Sequence, residues 1–285
     1  TIVTPSFNSA KYISQTIKSV LNQTYQNFEY FIIDGGSMDE TIPIIKSFSP
    51  YIDYTISEVD LGMYDALNKG FKKGKGDIFC YINSDDLLLP NTLAIVSELF
   101  MTNKNYDLIY GDMNIIDQNN SFLYTYKYRK IYSNEFPCHI NSLIGQPSAF
   151  WRSSAFKSLN KFDLSFKLAS DYDFFAKLII DKKINFKYYP ICFSSFRIHK
   201  ETLSSNFKEV NLFEVNKIRK RYKISVFVQF LSNVINILHK INSLFRYRLS
   251  RIIYMKDLNN ILPNINFNFY KSFYYKLLTS LNYFF

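Results

Sequence analysis

Short apolar runs alternate with amphipathic stretches along the first 111 residues of the chain. The apolar runs, of which Ile78-Phe79-Cys80-Tyr81-Ile82 is typical, are short and rich in β-formers, so they predict buried strands. Strands are predicted at 1–4, 28–34, 52–57, 77–83 and 107–111, with helices between them at 9–22, 39–48, 63–73 and 90–102. This alternation predicts an α/β fold with a mostly parallel sheet and helices on both of its faces.

The second half of the chain has a less regular pattern. Strands are predicted at 121–128, 148–151 and 186–197, and one clear helix at 171–182. Ser170 is the predicted N-cap of this helix, because two acidic residues follow it in the first turn. Near Ser205 the pattern changes to helical segments rich in Lys, Arg, Tyr, Phe and Asn. We therefore predict a globular domain at 1–205 and a basic, mainly helical C-terminal region at 206–285.

The composition, 47% hydrophobic and 20% charged, excludes a disordered chain. The net charge of +10 is uneven, because residues 200–285 hold 14 Lys or Arg and 4 Asp or Glu and so carry the whole excess. Basic residues flank the interrupted apolar segment 224–238, which is too short to span a membrane. This predicts an interfacial segment on an anionic membrane, with a helical cap on the domain as the alternative. No nucleic-acid motif accompanies the charge, so nucleic acid is not the expected partner.

The cysteines and the start of the chain bear on its location. Cys80, Cys138 and Cys192 are odd in number and lack metal-type spacing, which favours reduced thiols in a cytosolic protein. No signal peptide is visible, and the chain opens without a methionine inside the first predicted strand, so a few residues are expected before Thr1. We expect a cytoplasmic protein that is peripheral at the inner face of the plasma membrane.

Asn83-Ser84-Asp85-Asp86 places two adjacent carboxylates directly after a predicted buried strand. Open α/β sheets bind their ligands at the carboxyl ends of their strands. Hard oxygen ligands at such an edge suit a divalent cation that carries a diphosphate. The alternative is that Asp86 merely caps a helix that starts near Pro90.

Two further loops follow neighbouring predicted strands, Thr4-Pro5-Ser6-Phe7-Asn8 and Asp34-Gly35-Gly36-Ser37-Met38-Asp39. An aromatic ring and a carboxylate at the same edge are typical of a nucleotide pocket. As alternatives, Ser37 with Glu40 is a capping box and the glycine pair a simple turn. Neither a Walker loop nor a GxGxxG at the first helix is present, which argues against ATP-driven chemistry and a dinucleotide fold. The diphosphate would then be neutralised by a metal.

Five motifs follow one another over about residues 1–205: Thr4-Pro-Ser-Phe-Asn8, Asp34-Gly-Gly-Ser-Met-Asp39, Glu58-Val-Asp-Leu-Gly-Met-Tyr-Asp-Ala-Leu-Asn-Lys-Gly70, Asn83-Ser-Asp-Asp86 and Ala169-Ser-Asp-Tyr-Asp173. In order and spacing the chain resembles the family 2 glycosyltransferases of GT-A fold, and most closely the bacterial members that build cell-surface polysaccharides. The resemblance implies an inverting hexosyltransferase that depends on Mn²⁺ or Mg²⁺. It implies transfer of a sugar from a nucleotide-sugar, with a UDP-sugar as the expected donor, to a glycan or lipid-linked acceptor. It also implies a nucleotide-sugar half at about 1–112 and an acceptor half at about 113–205.

The resemblance also implies which residues bind the donor and the metal. Those at the nucleotide-sugar are Thr4, Pro5, Phe7, Asn8, Asp34, Asp60, Asp65, Lys69, Asn83, Asp85 and Asp86. Among them, Asp34 would recognise the base, and Asp60 would border the pocket and the diphosphate. The implied metal ligands are Asp85, Asp86 and His199. Asn83 replaces the first carboxylate of the family's Asp-x-Asp motif, so Asp86 is expected to share its work.

Asp171 lies where the resemblance places the catalytic base. A carboxylate that is ionised at neutral pH can take a proton from a sugar hydroxyl as that oxygen attacks the anomeric carbon. Ser170 replaces the family's usual Glu, and Asp173 is a rival base for which a capping role is expected. Gln146-Pro147-Ser148 is expected to shape the acceptor side of the cleft.

Two other functions are considered. A sugar-phosphate nucleotidyltransferase would open with a glycine-rich loop that carries basic residues, and Thr4-Pro5-Ser6-Phe7-Asn8 is not such a loop. A non-catalytic, membrane-docked sugar-nucleotide-binding protein stays open, because Asn83 and Ser170 both depart from the family pattern.

Overall fold

A nine-stranded mixed sheet forms the centre of the fold in this computed structural model, which describes residues 1–128, 130, 144–159, 161–202 and 207–222. The strands are β1 (Ile2–Ser6), β2 (Tyr30–Asp34), β3 (Tyr54–Ser57), β4 (Ile78–Tyr81), β5 (Leu87–Leu88), β6 (Leu108–Ile116), β7 (Phe122–Tyr126), β8 (Ala149–Arg152) and β9 (Phe186–Arg197). Their order across the sheet is β3-β2-β1-β4-β8-β6-β9-β5, and β7 pairs with β6 beside this path.

The first four strands in this order are parallel, as the alternating pattern predicts. Successive side chains point to opposite faces of a strand, so Ile2 enters one apolar cluster and Val3 the other. Phe31 and Ile32 divide between the two clusters in the same way. Both faces of this half of the sheet are therefore apolar and need a covering layer.

The second half of the sheet is mixed, unlike the mostly parallel sheet that the pattern predicts: β6 and β9 are parallel, and the other pairings are antiparallel. Strand β8 runs antiparallel to both β4 and β6, and β7 runs antiparallel to β6. The β6–β7 hairpin has a local cause, because Asp117 Oδ1 accepts the N–H groups of Asn119 and Ser121, both at 2.8 Å. Asn120 closes the turn with a φ of 68°, which asparagine tolerates.

Helices cover both faces of the sheet, as predicted. They are α1 (Ile13–Leu21), α2 (Thr41–Ser47), α3 (Met63–Lys73), α4 (Thr92–Thr102), α5 (Ser153–Leu159), α6 (Ser170–Ala176) and α7 (Lys208–Arg221). Helices α1, α2 and α4 pack on one face, where Ile17 and Val96 are buried. Helices α3, α5, α6 and α7 pack on the other, where Phe71, Phe174 and Ile218 are buried.

The C-terminal region is described over α7 and Tyr222. The predicted interfacial segment 224–238 lies outside the described residues, as does Cys138. The boundary near Ser205 stays a prediction. Within the part of the chain that the structure describes, no helix is long and apolar enough to cross a membrane.

Candidate active site

The loops after β1 and β2 are tied together at one edge of the sheet. The backbone N–H of Asn8 donates to Ser37 Oγ at 2.7 Å, and Asn8 Oδ1 accepts from the N–H of Met38 at 3.0 Å. Asn8 has a φ of 46°, which asparagine adopts more readily than most residues. The ring of Phe7 is 60% exposed beside it. The structure thus brings Phe7 and Asn8 together and presents an aromatic face to solvent.

Thr4 and Pro5 lie deeper than predicted for residues that contact a nucleotide. Both are buried in β1, where Pro5 pairs in register with Ile33. Thr4 Oγ1 lies 3.0 Å from the hydroxyl of Tyr30 inside the sheet. This position argues against a polar contact from Thr4 to a ligand and favours a supporting role for both residues.

Asp34 is fully buried at the end of β2 and accepts five hydrogen bonds. Its Oδ1 accepts from the hydroxyls of Ser6 at 3.1 Å and Ser37 at 2.5 Å. Its Oδ2 accepts from the N–H groups of Gly36 at 3.0 Å and Ser37 at 2.8 Å, and from the hydroxyl of Ser57 at 2.8 Å. A carboxylate offers about four lone-pair positions. The geometry therefore corrects the expectation that Asp34 recognises the base: it joins the loops after β1, β2 and β3.

Three more predicted residues lie on the loop after β3 and the start of α3. Asp60 Oδ1 accepts the N–H of Gly62 at 2.8 Å, and burial raises the pKa of this carboxyl. Lys69 Nζ lies 2.8 Å from Glu58 Oε1 and 3.2 Å from Asp65 Oδ2. Lys69 and Asp65 therefore hold this loop through ion pairs, and in this arrangement the Lys69 charge is directed at two carboxylates.

Asp85 and His199 form a pair at the end of β4, although 114 residues separate them in the chain. Asp85 Oδ2 lies 2.9 Å from His199 Nε2, and the Asp85 side chain is 28% exposed. The imidazole packs against the ring of Tyr12, with the ring centroids 4.9 Å apart and the ring planes tilted by 50°. A carboxylate oxygen and an imidazole nitrogen this close can both reach one cation, and both are common ligands of divalent metals. The donor set thus fits a divalent metal ion.

Asp86 faces the interior instead of joining this pair. It is fully buried, its Oδ1 accepts the backbone N–H of Arg197 at 2.9 Å, and its Oδ2 accepts from Asn83 Nδ2 at 3.3 Å. Burial and the neighbouring negative charge of Asp85 raise the pKa of Asp86 well above its ordinary value. This corrects the expectation that Asp86 binds the metal in place of the carboxylate that Asn83 replaces. Asn83 likewise supports the loop and has its Oδ1 buried without a hydrogen bond among the described residues.

Arg197 fixes this loop from below, and the sequence analysis missed it. Its side chain is fully buried, and Nε donates to the carbonyl oxygen of Asp85 at 2.7 Å. Its Nη1 and Nη2 donate to Asn120 Oδ1 at 2.5 Å and Gln15 Oε1 at 3.0 Å. A buried arginine needs hydrogen-bonding partners. An Arg at the end of an apolar strand, two residues before His199, could therefore have indicated a residue that supports the site.

Gln146-Pro147-Ser148 forms a buried turn of 3-10 helix beneath the same loop. Gln146 Nε2 donates to the carbonyl oxygen of Tyr81 at 2.8 Å, and Ser148 Oγ lies 2.6 Å from Ser194 Oγ. All three residues are buried, which argues for support of the strand ends and against a surface on the acceptor side.

Asp171 lies in the first turn of α6 and is half-buried. Its Oδ1 accepts from the backbone N–H of Tyr172 at 2.8 Å and lies 3.1 Å from the hydroxyl of Tyr64. That hydroxyl is also 3.1 Å from the carbonyl oxygen of Leu168, so its one proton is shared between two acceptors. Burial raises the pKa of Asp171, and the two hydrogen bonds oppose that rise. Tyr64, from the Glu58–Gly70 motif, thus ties α3 to the candidate base.

Asp173 has a structural role, but it forms ion pairs instead of the expected helix cap. It is 1% exposed, its Oδ2 lies 2.6 Å from Lys177 Nζ, and its Oδ1 pairs with Arg221. Asp163 Oδ2 lies 3.7 Å from both cations. These four residues connect α6 to α7, and both carboxylate oxygens of Asp173 are engaged by cations.

The entry to α6 is held by Glu214 of α7, which the sequence analysis also missed. Its carboxylate accepts the N–H groups of Lys167, Leu168 and Ala169 at 2.7, 2.9 and 3.0 Å. The N-cap position belongs to Ala169, and Ser170 Oγ is buried without a hydrogen bond among the described residues, so Ser170 is not the predicted cap. Residue 214 therefore stabilises the backbone that presents the candidate base.

Replacing Tyr64 with phenylalanine should narrow the active pH range from its acidic side. The Tyr64 hydroxyl favours the ionised form of Asp171, so its removal raises the pKa of Asp171 further. A base works only while ionised, so activity should be lost at a higher pH as the solution is acidified. The pH profile of kcat measures this, with Tyr54→Phe on β3 as the control. Equal profiles for Tyr64→Phe and wild type would contradict the coupling.

Comparisons with known proteins bear on the family and the fold. The family model described as Glycosyl transferase family 2 matches residues 1–164. The Uncharacterized glycosyltransferase RP339 of Rickettsia prowazekii is 31% identical over 87% of this chain and 82% of its own length. The Uncharacterized glycosyltransferase RT0329 of Rickettsia typhi is 35% identical over 62% of this chain, which spans 58% of that relative. A PGL/p-HBAD biosynthesis glycosyltransferase of Mycobacterium tuberculosis is 26% identical over 68% of this chain and 75% of its own length.

Two solved structures share the fold at low identity. S. aureus TarS 1-349 in complex with UDP has a TM-score of 0.60 at 17% identity, over 76% of this chain and 63% of that one. The mannosyltransferase PcManGT from Pyrobaculum calidifontis, in complex with GDP-Man and Mn²⁺, has a TM-score of 0.54 at 15% identity, over 72% of this chain and 58% of that one. This likeness confirms the predicted GT-A fold.

Proposed function

Because this chain belongs to glycosyl transferase family 2, we propose that it is an inverting, metal-dependent enzyme that moves a sugar from a UDP-sugar to a glycan or lipid-linked acceptor. The observation that carries the proposal is the pairing of Asp85 with His199 at one strand end, together with a separate half-buried carboxylate, Asp171. The first is suited to a cation that binds a diphosphate, and the second to a proton acceptor.

The donor is proposed to lie on the loops after β1, β2 and β3. Phe7 offers a ring for a base, and the exposed side chains of Met38, Val59 and Leu61 extend the apolar rim of the same edge. Apolar walls with a few placed polar groups are typical of a nucleotide site. TarS has been solved with UDP, which supports a uridine nucleotide here.

Asp85 and His199 would hold the metal, and Asp86 and Arg197 would support them from the interior. When bound, Mn²⁺ or Mg²⁺ would supply positive charge that stabilises the departing diphosphate. PcManGT has been solved with Mn²⁺, which supports the use of a divalent ion.

Asp171 is proposed to act as the general base. Its oxygen takes the proton of the acceptor hydroxyl while that hydroxyl oxygen bonds to the anomeric carbon and the bond from this carbon to the diphosphate oxygen breaks. A single displacement of this kind inverts the configuration at the anomeric carbon. It requires one base on the acceptor side, and Asp171, held by Tyr64, supplies it.

The acceptor and the membrane are proposed from the sequence alone. The basic charge of residues 200–285 favours an anionic surface, at which a lipid-linked acceptor would be found. Most of this region lies outside the described residues, so the proposal rests on composition.

A screen of nucleotide-sugars for thermal stabilisation, with Mn²⁺ and with a chelator, tests this function. A ligand present at about 100 times its dissociation constant stabilises a folded protein by about 2.7 kcal/mol, which gives a clear shift in Tm. We expect UDP-sugars to raise Tm with the metal and much less with the chelator. Absence of any metal-dependent shift across uridine, guanosine, cytidine and thymidine sugars would contradict the proposal.

A further inference from the structure

Asp60 lies against Gly35, where the loops after β2 and β3 meet. A β-carbon built on Gly35 would fall 3.0 Å from Asp60 Oδ2 and 3.1 Å from Asp60 Oδ1. The carboxylate therefore fills the space that a side chain at position 35 would need. Gly36 has a positive φ of 83°, but Gly35 does not have a positive φ, so its backbone does not require glycine. The absence of a side chain at position 35 is what admits the Asp60 carboxylate.

One oxygen of Asp60 remains available to a ligand. Oδ1 accepts the N–H of Gly62 at 2.8 Å, whereas no hydrogen bond to Oδ2 is found among the described residues. Asp34, the residue before Gly35, has both oxygens filled by protein donors. Of these two neighbouring carboxylates, Asp60 is the one that can accept a further N–H.

Exposed apolar residues lie on both sides of Asp60 in its loop. Val59 and Leu61 flank Asp60 in the chain and are 87% and 79% exposed. Val59 Cγ2 lies 3.3 Å from the position of a β-carbon on Gly36, so the loops after β2 and β3 are in contact. Exposed apolar groups on both sides of a hydrogen-bonding carboxylate suit a flat heterocycle that packs by its faces and bonds by its edge.

We propose that Asp60 Oδ2 accepts the ring N–H of the donor's base and thereby selects a pyrimidine that carries this N–H, uracil or thymine, over guanine and cytosine. The inference rests on the proposed nucleotide-sugar donor. Uracil presents one ring N–H, which matches one available oxygen. Guanine presents a ring N–H beside an amino group, and Oδ1 is already held by Gly62. Cytosine has an unprotonated ring nitrogen at the corresponding position, which is an acceptor and would face a carboxylate unfavourably.

Calorimetric titration of the full chain with UDP and with CDP, each with Mn²⁺, tests the proposal through the ratio of the two affinities. Wild type should prefer UDP, and Asp60→Asn should lower the UDP-to-CDP ratio about tenfold or more, because a charged hydrogen bond to uracil is lost. The diphosphate and the metal are common to both ligands, so a change in metal binding or in the fraction of folded protein would not alter the ratio. Loss of a negative charge by itself would increase the affinity for both anionic ligands.

A relocated carboxylate provides the complementary variant. Gly35→Asp combined with Asp60→Gly returns a carboxylate to the same space from the other loop, and the ratio should recover to within about threefold of wild type. Glu40→Gln, exposed at the start of α2, removes the same charge nearby and should leave the ratio unchanged.

The outcomes separate this inference from the function on which it rests. An unchanged ratio in Asp60→Asn, or tighter binding of GDP than of UDP by wild type, would overturn the role of Asp60 and leave the glycosyltransfer proposal standing. A wild type that binds none of the nucleoside diphosphates would overturn both.

Discussion

Replacing Asp171 with asparagine should lower turnover about 10²–10⁴-fold and leave the affinity for the donor nucleotide within about twofold of wild type. Asparagine keeps the shape of the side chain and its contacts with Tyr64 and the N–H of Tyr172, but it cannot accept the proton. Both contacts are made by Oδ1, so Oδ2 is the oxygen left for the acceptor hydroxyl among the described residues. Steady-state kinetics with the donor found in the screen, and calorimetry with its nucleotide, measure the two effects.

Asp173→Asn is the matched control, two residues away on the same helix. Asp173 is buried between Lys177 and Arg221, so loss of its charge leaves Asp163, at 3.7 Å, as the carboxylate that remains beside the two cations. Tm should fall, and the loss of stability should be less than the about 3–5 kcal/mol that breaking a fully buried ion pair costs, because both cations are partly exposed. A larger loss of turnover at position 173 than at 171, with donor affinity retained, would reverse the assignment of the two carboxylates.

The order of elements could be predicted from the sequence, whereas their pairing in the second half could not. Helices and strands up to about residue 111 lie close to where the apolar periodicity predicts them, because the pattern within each element extends over several residues. Strand β5 is only Leu87–Leu88, too short to give a periodic signal. The antiparallel insertion of β8 between β4 and β6 depends on contacts between residues far apart in the chain, such as Phe79 with Trp151.

At the site, the motifs could be located from the sequence, but the direction in which each side chain points could not be predicted. Asp85 lies in a turn that the N–H of Asp86 closes on the carbonyl oxygen of Asn83, whereas Asp86 follows this turn into the interior, so one side chain faces out and one faces in. The sequence does not say which. Arg197 and Glu214 were missed for a related reason, since each acts on backbone more than 40 residues away.

Replacing Asp85 with alanine should abolish the part of nucleotide binding that depends on the metal. Asp85 is the partly exposed carboxylate beside His199, and a lone imidazole is a poor site for a hard cation such as Mn²⁺ or Mg²⁺. In wild type, UDP should bind more tightly with Mn²⁺ than with a chelator. In Asp85→Ala the two affinities should converge, and calorimetry measures both.

Asp86→Ala tests whether Asp86 binds the metal or only stabilises the loop that carries Asp85. Asp86 holds the backbone N–H of Arg197 and the amide of Asn83 from a fully buried position, so its loss should lower Tm and disturb the loop that carries Asp85. At a temperature where the variant remains folded, Asp86→Ala should keep some metal-dependent gain in UDP affinity, whereas Asp85→Ala should keep none. Unchanged UDP affinity in both variants would overturn the metal assignment. A complete loss in Asp86→Ala with metal dependence retained in Asp85→Ala would mean that the inner carboxylate turns outward to bind the cation.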